Sequence, residues 1–576
     1  MKTVICTLNS RFSHTSLALR CLRESARDAG FDPELCEYTI NHELRKIVAD
    51  LVSKQADFYG FSVYVFNLTE TLWVIRDLKR VLPSAFIFCG GPEVSFEEAD
   101  FLLQNPEVDL ILRGEGEKTF AELLSIFENT PKDRLLQTFF SGQTAGLSYL
   151  YNKKPVRNPD RKPECCLDCF AFPYRDEEDL CRIKDRILYY ESSRGCPFGC
   201  SYCMSSLDRS VRTLSLPRTF SDLSVFLKHR VRLVKFVDRT FNADRARCMG
   251  ILRFLRDHDN GVTSFHFEIS PMLIDREFLS FLPTARPGMF LFEAGLQSAN
   301  PKTLKAIGRR QDTAALIPLL REFSGSGAHL HLDLIAGLPY EDYASFGRSL
   351  DIAMSARPDV LQLGFLKVLK GAPIAAQKEH EMVYSPRPPY EILQNQYLSF
   401  QDLERLKKIE EILERYFNSG LFRDFLVEVS ERCFGGGFFS MTESMADFLE
   451  KKDFFILSVS ERTLADLLHE WLSSLSLLSD DLDNCRNLLA FDLYKKSPVP
   501  NPPAWLRNLP DFPALVSLLK NPEILSGKLP EALEGVFPGP DPKKWVRRAR
   551  LVRFVIDGKE VSYLFLYASK THIILL

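Results

Sequence analysis

The sequence predicts a multidomain α/β protein: a parallel-sheet domain over residues 1–150, a linker over 151–184, a second strand–helix series over 185–375, and a mostly helical region over 376–576 that ends in a β-hairpin. Three observations carry this reading. A chain of 576 residues is too long for one hydrophobic core. Apolar strand-like runs alternate with amphipathic helical runs in two separate stretches, the pattern of parallel sheets. Beyond Lys378 that alternation stops and helical spacing takes over.

Composition narrows the class. A hydrophobic fraction of 45% with 26% charged residues describes an ordinary globular chain. The net charge of −3 predicts no bulk attraction to nucleic acid or to an anionic membrane. The start, Met1 to Leu8, enters a short apolar strand and breaks at Asn9-Ser10-Arg11, which is not the pattern of a signal peptide. No apolar run is long enough to span a bilayer. Fourteen cysteines without a secretion signal point to a reducing cytoplasm, where thiols serve metals or cores.

In the first region, Val4 to Leu8, Phe58 to Tyr64, Phe86 to Cys89 and Leu110 to Leu112 read as strands. A helix is expected from about Ser16 to Ala29, with Leu17, Cys21 and Leu22 on its apolar face and Gly30 as its stop. This is a Rossmann-like layout, in which ligands bind beyond the carboxyl ends of the strands. Those ends carry glycine or polar residues here: Asn9 and Ser10, Ser62 and Asn67, Gly90 and Gly91, Gly114 and Glu115. Gly114-x-Gly116 does not continue as G-x-G-x-x-G, so a dinucleotide fingerprint is absent.

In the second region six strands are expected: Ile187 to Ser193, Leu233 to Val237, Ser264 to Pro271, Met289 to Ser298, His329 to Pro339 and Val360 to Phe365. Six β/α units with polar strand ends suit a partial TIM-like (β/α)6 barrel, whose chemistry sits at those ends. Asp238, Glu268, Glu293, Gln297, Ser298 and Asp333 lie there. His329 and His331 alternate on the fifth strand and share a face, as a packed or hydrogen-bonded pair.

The first of these strands delivers Cys196-Pro-Phe-Gly-Cys200-Ser-Tyr-Cys203, a C-x3-C-x2-C loop. An electron-transfer [4Fe–4S] cluster is normally closed by four cysteines. Three thiolates on one loop leave one iron open for the amino and carboxylate groups of S-adenosylmethionine (SAM). A zinc knuckle would need a fourth Cys or His in regular spacing, and none follows within twenty-five positions.

This loop, with Tyr202 before its third cysteine, resembles the radical SAM superfamily. The strings FEAGLQSAN with LKAIGRRQ and DLIAGLPYED resemble that family's fourth- and fifth-strand regions; its glycine-glycine-glutamate motif is replaced by FVDRTFN. The strings GFSVYVFN, CGGPEVS and LRGEGEKTF resemble the N-terminal cobalamin-binding domain of the B12-binding radical SAM family. The helical extension is similar to one of unknown function in a subgroup of that family.

The resemblance implies three cofactors: a [4Fe–4S] cluster on Cys196, Cys200 and Cys203; SAM held by Phe198, Tyr202, Asp238, Glu268, Glu293, Gln297, Ser298 and Asp333; and cobalamin across Asn9, Ser10, Ser62, Tyr64, Asn67, Gly90, Gly91, Pro92, Glu93, Gly114, Glu115 and Glu117. It implies methylation of an unactivated carbon, in which a 5′-deoxyadenosyl radical takes hydrogen and methylcobalamin supplies the methyl group. Cyclisation or rearrangement is the alternative outcome. An external donor of the flavodoxin or ferredoxin type and a small-molecule or peptide substrate complete the partners, with no membrane and no nucleic acid. His14 lacks the D-x-H-x-x-G context of a cobalt ligand and reads as a loop or surface histidine.

Other features weigh less. An RNA methylthiotransferase would use Cys6, Cys36 and Cys89 for a second cluster, but Cys6 and Cys89 lie in apolar strands. A cobalamin-binding regulator would not need the three-thiol loop. Cys165, Cys166, Cys169 and Cys181 have no recognisable ligand spacing and read as surface or packed thiols. The string Cys433 to Phe439 reads as core, with a lid over the barrel as the functional alternative. The basic stretch Lys543 to Arg553 reads as a solvated face.

Overall fold

A computed structural model describes residues 2–142, 144–457, 459–499, 502–520, 543–556, 559–567 and 571–576. The chain divides into two compact units, Met1–Glu341 with Phe365–Ser399, and Asp342–Gly364 with Phe400–Leu576.

The first unit opens with a seven-stranded sheet of order β2-β1-β3-β4-β5-β6-β7. Its strands are β1 (Thr3–Asn9), β2 (Glu34–Thr39), β3 (Phe58–Ser62), β4 (Phe86–Gly90), β5 (Leu110–Leu112), β6 (Leu147–Tyr151) and β7 (Lys154–Arg157). β1 to β5 are parallel, and β6 and β7 add as an antiparallel hairpin. β2 escapes a search for apolar runs because it is an edge strand of sequence ELCEYT, only partly covered. Part of the expected linker is therefore strand. Cys6, Cys36 and Cys89 belong to one buried core, and burial pushes their thiols up, so they pack rather than ligate.

Ser16 caps the helix Leu17–Asp28 by accepting from the Leu19 amide at 3.3 Å. Its buried face is not the expected one. Leu19, Arg20, Arg23, Glu24 and Ala26 are buried, whereas Leu17, Cys21 and Leu22 are half-buried. The charged residues face inward because Arg20 pairs with Glu37 at 3.0 Å and with Asp179 at 3.1 Å, and Arg23 pairs with Asp179 at 3.1 Å. Helical periodicity in apolar residues cannot register a face buried through ion pairs.

Within this unit the second sheet runs β8-β11-β12-β13-β14. Its strands are β8 (Ile187–Tyr190), β11 (Leu233–Phe236), β12 (Ser264–Ile269), β13 (Phe290–Gln297) and β14 (His329–Ala336); the sixth expected strand, β15 (Val360–Phe365), forms too, and all but its last residue belongs to the second unit. The pairings from β8 to β14 are parallel. On β11 to β14 buried residues alternate with half-buried ones. Phe236, Phe267, Phe290 and Phe292 are buried on the outer face in ring contact. Lys235, His266, Glu268, Glu293, His331 and Asp333 take the other face. Two ribbons complete the unit: β9 (Ser193–Arg194) with β10 (Arg212–Thr213), and β16 (Val383–Tyr384) with β17 (Ile392–Gln394).

The second unit is mainly helical. Leu403, Leu406, Ile409 and Ile412 are the buried face of the helix Phe400–Ile412, which continues as a wider turn over Leu413–Asn418. The aromatic–glycine string is core at its end, where Phe438 packs edge-on to Phe417 and Phe439 edge-on to Tyr343, with ring centroids 5.6 and 5.3 Å apart, whereas Gly435 and Gly436 are exposed. The chain ends in an antiparallel sheet, β18 (Ala549–Ile556), β19 (Lys559–Tyr567) and β20 (Thr571–Leu575), one strand more than the hairpin expected. The turn assigned to Asp557 and Gly558 lies outside the described residues. The basic stretch is not simply solvated: Trp545 and Arg550 are buried, and Arg550 Nε donates to the Pro498 carbonyl at 2.9 Å.

Candidate functional site

The loop that carries the three cysteines is fastened at several points before any ligand is considered. Asp238, just after β11, accepts from the Ser192 amide at 2.7 Å, the Ser193 amide at 3.1 Å and the Ser192 hydroxyl at 2.5 Å. These bonds fix the turn from β8 into the loop. The Cys196 amide donates to Asp208 O at 2.9 Å, the Ser201 amide to Ile307 O at 3.0 Å, and the Ile374 amide to Ser201 O at 2.8 Å. β9 and β10 pair across the loop's two flanks.

The three cysteines then line one cavity of about 210 Å³ with Phe198, Tyr202, Glu268, Glu293, Gln297 and Asp333, all expected at the SAM site. Gln297 follows a bulge in β13 and has a left-handed backbone, φ 69°. Strained residues of this kind collect at functional sites. Its Oε1 is buried without a hydrogen-bond partner among the described residues.

Two expected residues do not line this cavity. Asp238 is buried and committed to the strand-to-loop turn. Ser298 is buried, donates to Glu341 Oε1 at 2.7 Å and accepts from the Asn300 amide at 2.9 Å. Both brace the site from behind.

Arg309, Arg239, Thr240 and Met272 line the cavity and were not singled out from sequence. Arg309 donates to the Tyr202 hydroxyl at 3.3 Å and to the Gly295 carbonyl. Its signal was present, since Arg309 lies in the string LKAIGRRQ. Thr240 Oγ1 is 3.4 Å from Cys196 Sγ.

The cavity is electrostatically uneven. Burial and the neighbouring Glu293 raise the Glu268 carboxyl above its usual range. Burial also works against the charge of Glu293, but Lys235, His331 and His266 outweigh it and hold that carboxyl low. Burial and Lys235 depress His266 to about 3, so its ring is neutral. Burial raises the Cys200 thiol, partly countered by Arg309.

The ends of β1 to β5 are used differently. Asn67 accepts from the Tyr64 amide at 2.8 Å and donates to Leu8 O at 3.0 Å and Ser62 O at 3.2 Å. Asn9 donates to His14 O and Glu37 Oε1, both at 3.2 Å. Glu93 receives the Tyr390 hydroxyl and lies 3.3 Å from Lys370 Nζ. Glu115 pairs with Arg194 at 3.3 Å and Arg212 at 2.7 Å, and Glu117 pairs with Arg194. Ser10, Tyr64, Gly90, Gly91, Pro92 and Gly114 keep partly or fully exposed surface.

His14 is not a surface histidine. Its Nδ1 is 2.5 Å from the Tyr189 hydroxyl, the two rings stack, and Arg186 donates to its carbonyl. The ring is thus engaged by the barrel's first strand. Cys165, Cys166, Cys169 and Cys181 are exposed.

Three family models match the chain: one described as a B12 binding domain over residues 3–124, one as the radical SAM superfamily over 190–353, and one as a protein of unknown function (DUF4080) over 378–575. The chain is 26% identical over 326 residues to an uncharacterized methyltransferase, PH0819, of Pyrococcus horikoshii, a match covering 53% of this chain and 67% of that protein. It is 22% identical over 510 residues to the cobalamin-dependent radical SAM methyltransferase TokK of Streptomyces tokunonensis, covering 80% of this chain and 71% of TokK. The structure of the cobalamin-dependent SAM radical enzyme OxsB with aqua-cobalamin bound shares the fold, with a TM-score of 0.59 at 16% identity over 85% of this chain and 79% of that one.

The residues present fit these cofactors. Three thiols and an unpartnered buried amide open on one cavity, as a three-ligand cluster and SAM require. At the first sheet, Gly114 is exposed with nothing within 4 Å of where a Cβ would stand, an approach path for a bulky ligand. Cobalamin, a [4Fe–4S] cluster and SAM are the cofactors of this enzyme. The chain belongs to the B12-binding radical SAM family, in the subgroup whose C-terminal domain has no assigned function.

Proposed function

We propose that this enzyme methylates an unactivated carbon of a small molecule. The observation that carries the proposal is the convergence of Cys196, Cys200 and Cys203 with Glu268, Glu293, Gln297 and Asp333 on one cavity, in a chain that also carries a B12-binding domain. Bound together, cluster, SAM and corrinoid supply radical and methyl-transfer chemistry. The chain's own residues do the positioning. Cys196, Cys200 and Cys203 are the cluster ligands. Gln297, with its free carbonyl oxygen, and the carboxyl of Glu268 suit the amine and ribose hydroxyls of SAM, Arg309 suits its carboxylate, and Glu293 and Asp333 line the wall beyond them. Ser10, Tyr64, Gly90, Gly91, Pro92 and Gly114 are the residues left for the corrinoid. Asn9, Ser62, Asn67, Glu93, Glu115 and Glu117 support that surface rather than touch it. An external flavodoxin- or ferredoxin-type donor and a cytoplasmic setting agree with an oxygen-sensitive cluster.

The test compares extracts of cells making the wild-type chain with extracts of cells making the variant in which all three cluster cysteines are Ala. A metabolite one methylene heavier in the first is the candidate product. Purified holoenzyme with that substrate and methyl-labelled SAM should place the label on the product carbon. S-adenosylhomocysteine and 5′-deoxyadenosine should form in comparable amounts. If the label stays on methionine while 5′-deoxyadenosine accompanies product, the reaction is a cyclisation or rearrangement and methyl transfer is excluded.

A further inference from the structure

Deeper along the barrel strands than the thiols lies a second group of ligand-bearing side chains that the cluster does not use. His266 on β12, Glu293 on β13 and His331 on β14 share the inward face. Glu293 lies opposite His331 in one pairing and opposite Glu268 in the other, two residues beyond His266. One ligand atom from each of the three comes within 4.8 Å of the other two. Bonds of about 2 Å to one shared ion would draw such atoms to within about 4 Å of one another.

A salt bridge alone does not explain this arrangement. Lys235 Nζ is 3.2 Å and the neutral His266 Nε2 3.4 Å from the same oxygen, Glu293 Oε2, so a cation and a lone-pair donor already converge on that point. The pair accounts for Glu293 but not for the imidazoles. His266 Nδ1 is buried without a hydrogen-bond partner among the described residues. His331 Nε2 is 2.8 Å from Asp333 Oδ1, a close ion-pair contact. A carboxylate standing behind a histidine is the usual support for a metal-binding imidazole. Lys235 is about a quarter exposed (27%), which leaves it room to withdraw.

We propose that His266, Glu293 and His331 form a site for one divalent transition cation, with Asp333 orienting His331 and Lys235 competing for the same carboxylate. Two imidazoles and one carboxylate select the zinc and ferrous class over magnesium or calcium. Three protein ligands leave coordination positions open. Glu293 and Asp333 also line the cavity of the thiols, so the open side faces the reaction chamber and offers a place for water or a substrate oxygen. The site does not depend on the methyl-transfer reading.

The test equilibrates anaerobic holoenzyme with zinc, removes the unbound metal, and counts zinc beside the irons of the cluster. One zinc per chain is expected beyond any carried by the exposed thiols, and it should persist when Cys165, Cys166 and Cys169 are Ser. His266→Ala and His331→Ala should each weaken it at least tenfold with iron content unchanged, and Asp333→Asn about 10- to 100-fold. Lys235→Met should tighten it, a gain that misfolding cannot mimic. No zinc beyond that on the exposed thiols, zinc that survives in the His266→Ala/His331→Ala double variant, or no tightening in Lys235→Met would each overturn the proposal.

Discussion

At the ends of β11 to β14 polar side chains face an open cavity, whereas at the ends of β1 to β5 most face one another or the neighbouring barrel. β1 to β5 and β8 to β14 are both parallel series, and in both polar residues or glycines lie at or near the carboxyl ends of the strands. In the barrel, carboxylates from three adjacent strands converge, and Gln297 keeps an unpaired oxygen. In the first sheet, Asn67 spends its amide on three backbone groups, and Glu115 and Glu117 are captured by Arg194 and Arg212. Polar residues at strand ends therefore mark where a ligand could be, and their hydrogen bonds decide which residues remain to meet it.

The sharpest way to break this comparison is at the cysteines. Changing Cys196, Cys200 and Cys203 together to Ala should remove the cluster and all SAM cleavage, read as iron content and 5′-deoxyadenosine. Full iron content in that variant would move the main site to Cys165, Cys166 and Cys169. Next comes Arg194, whose side chain is mostly buried between Glu191, Glu115 and Glu117. Arg194→Ala leaves carboxylates unpaired beside the cysteine loop and should cost about 3–5 kcal/mol in denaturant unfolding. If these glutamates served the corrinoid alone, apo-protein stability would hardly change.

Two glycines sharpen the contrast within the first sheet. A Cβ on Gly91, φ 118°, would stand 2.3 Å from Val63 O, so Gly91→Ala should destabilise by about 1–3 kcal/mol from overpacking plus backbone strain. Gly114, φ 73°, has nothing within 4 Å, so Gly114→Ala should cost only about 1–2 kcal/mol. Corrinoid loading should nevertheless fall more steeply than stability in Gly114→Ala. Proportionate losses in the two variants would erase the distinction.

The smallest effects are in pH dependence, and their signs are opposite. Burial raises the Glu115 carboxyl, but bonds to Arg212 and Arg194 overcome it and hold its pKa below the usual 4.5. Its contribution to stability is full above 4.5 and is lost as pH falls through the lower folded value. Glu268 is raised by burial and by Glu293. Its contribution is full below 4.5 and is lost as pH rises through the higher folded value. In SAM-free protein, Glu115→Gln should flatten the acid limb of the stability profile, and Glu268→Gln the limb above 4.5. The same limb flattened by both would show that their surroundings do not differ as described.

The barrel was legible because its strands read as short apolar runs that stop at polar residues, with alternating aromatics in the clearest of them, as in SFHFEIS. The cysteine spacing likewise gathers its ligands on one short loop. Residues whose partners lie far along the chain were not legible. Nothing near Glu117 signals that Arg194 will hold it, and nothing near His14 signals Tyr189. Asp238 and Ser298 sit where SAM ligands were expected, yet backbone amides claimed them. Lys235 did carry a signal, a charge inside the strand LVKF, which has to face a polar lumen. β2 had none, because an edge strand needs no apolar run.

His14 forms a parallel bridge with Ile187, the Ile187 amide donates to Ser13 O at 2.7 Å, and Thr15 Oγ1 donates to Ile187 O at 2.8 Å. β8 is the outermost strand of its sheet, and an open barrel has an outermost strand by construction. Such a rim invites other chains to pair with it, and natural proteins cover or blunt it. Residues 13–15 are that cover at the start of β8. The N-terminal region is therefore more than a carrier for a corrinoid. A barrel expressed without it would present a bare strand to its neighbours and would be prone to self-association before its catalysis could be assayed.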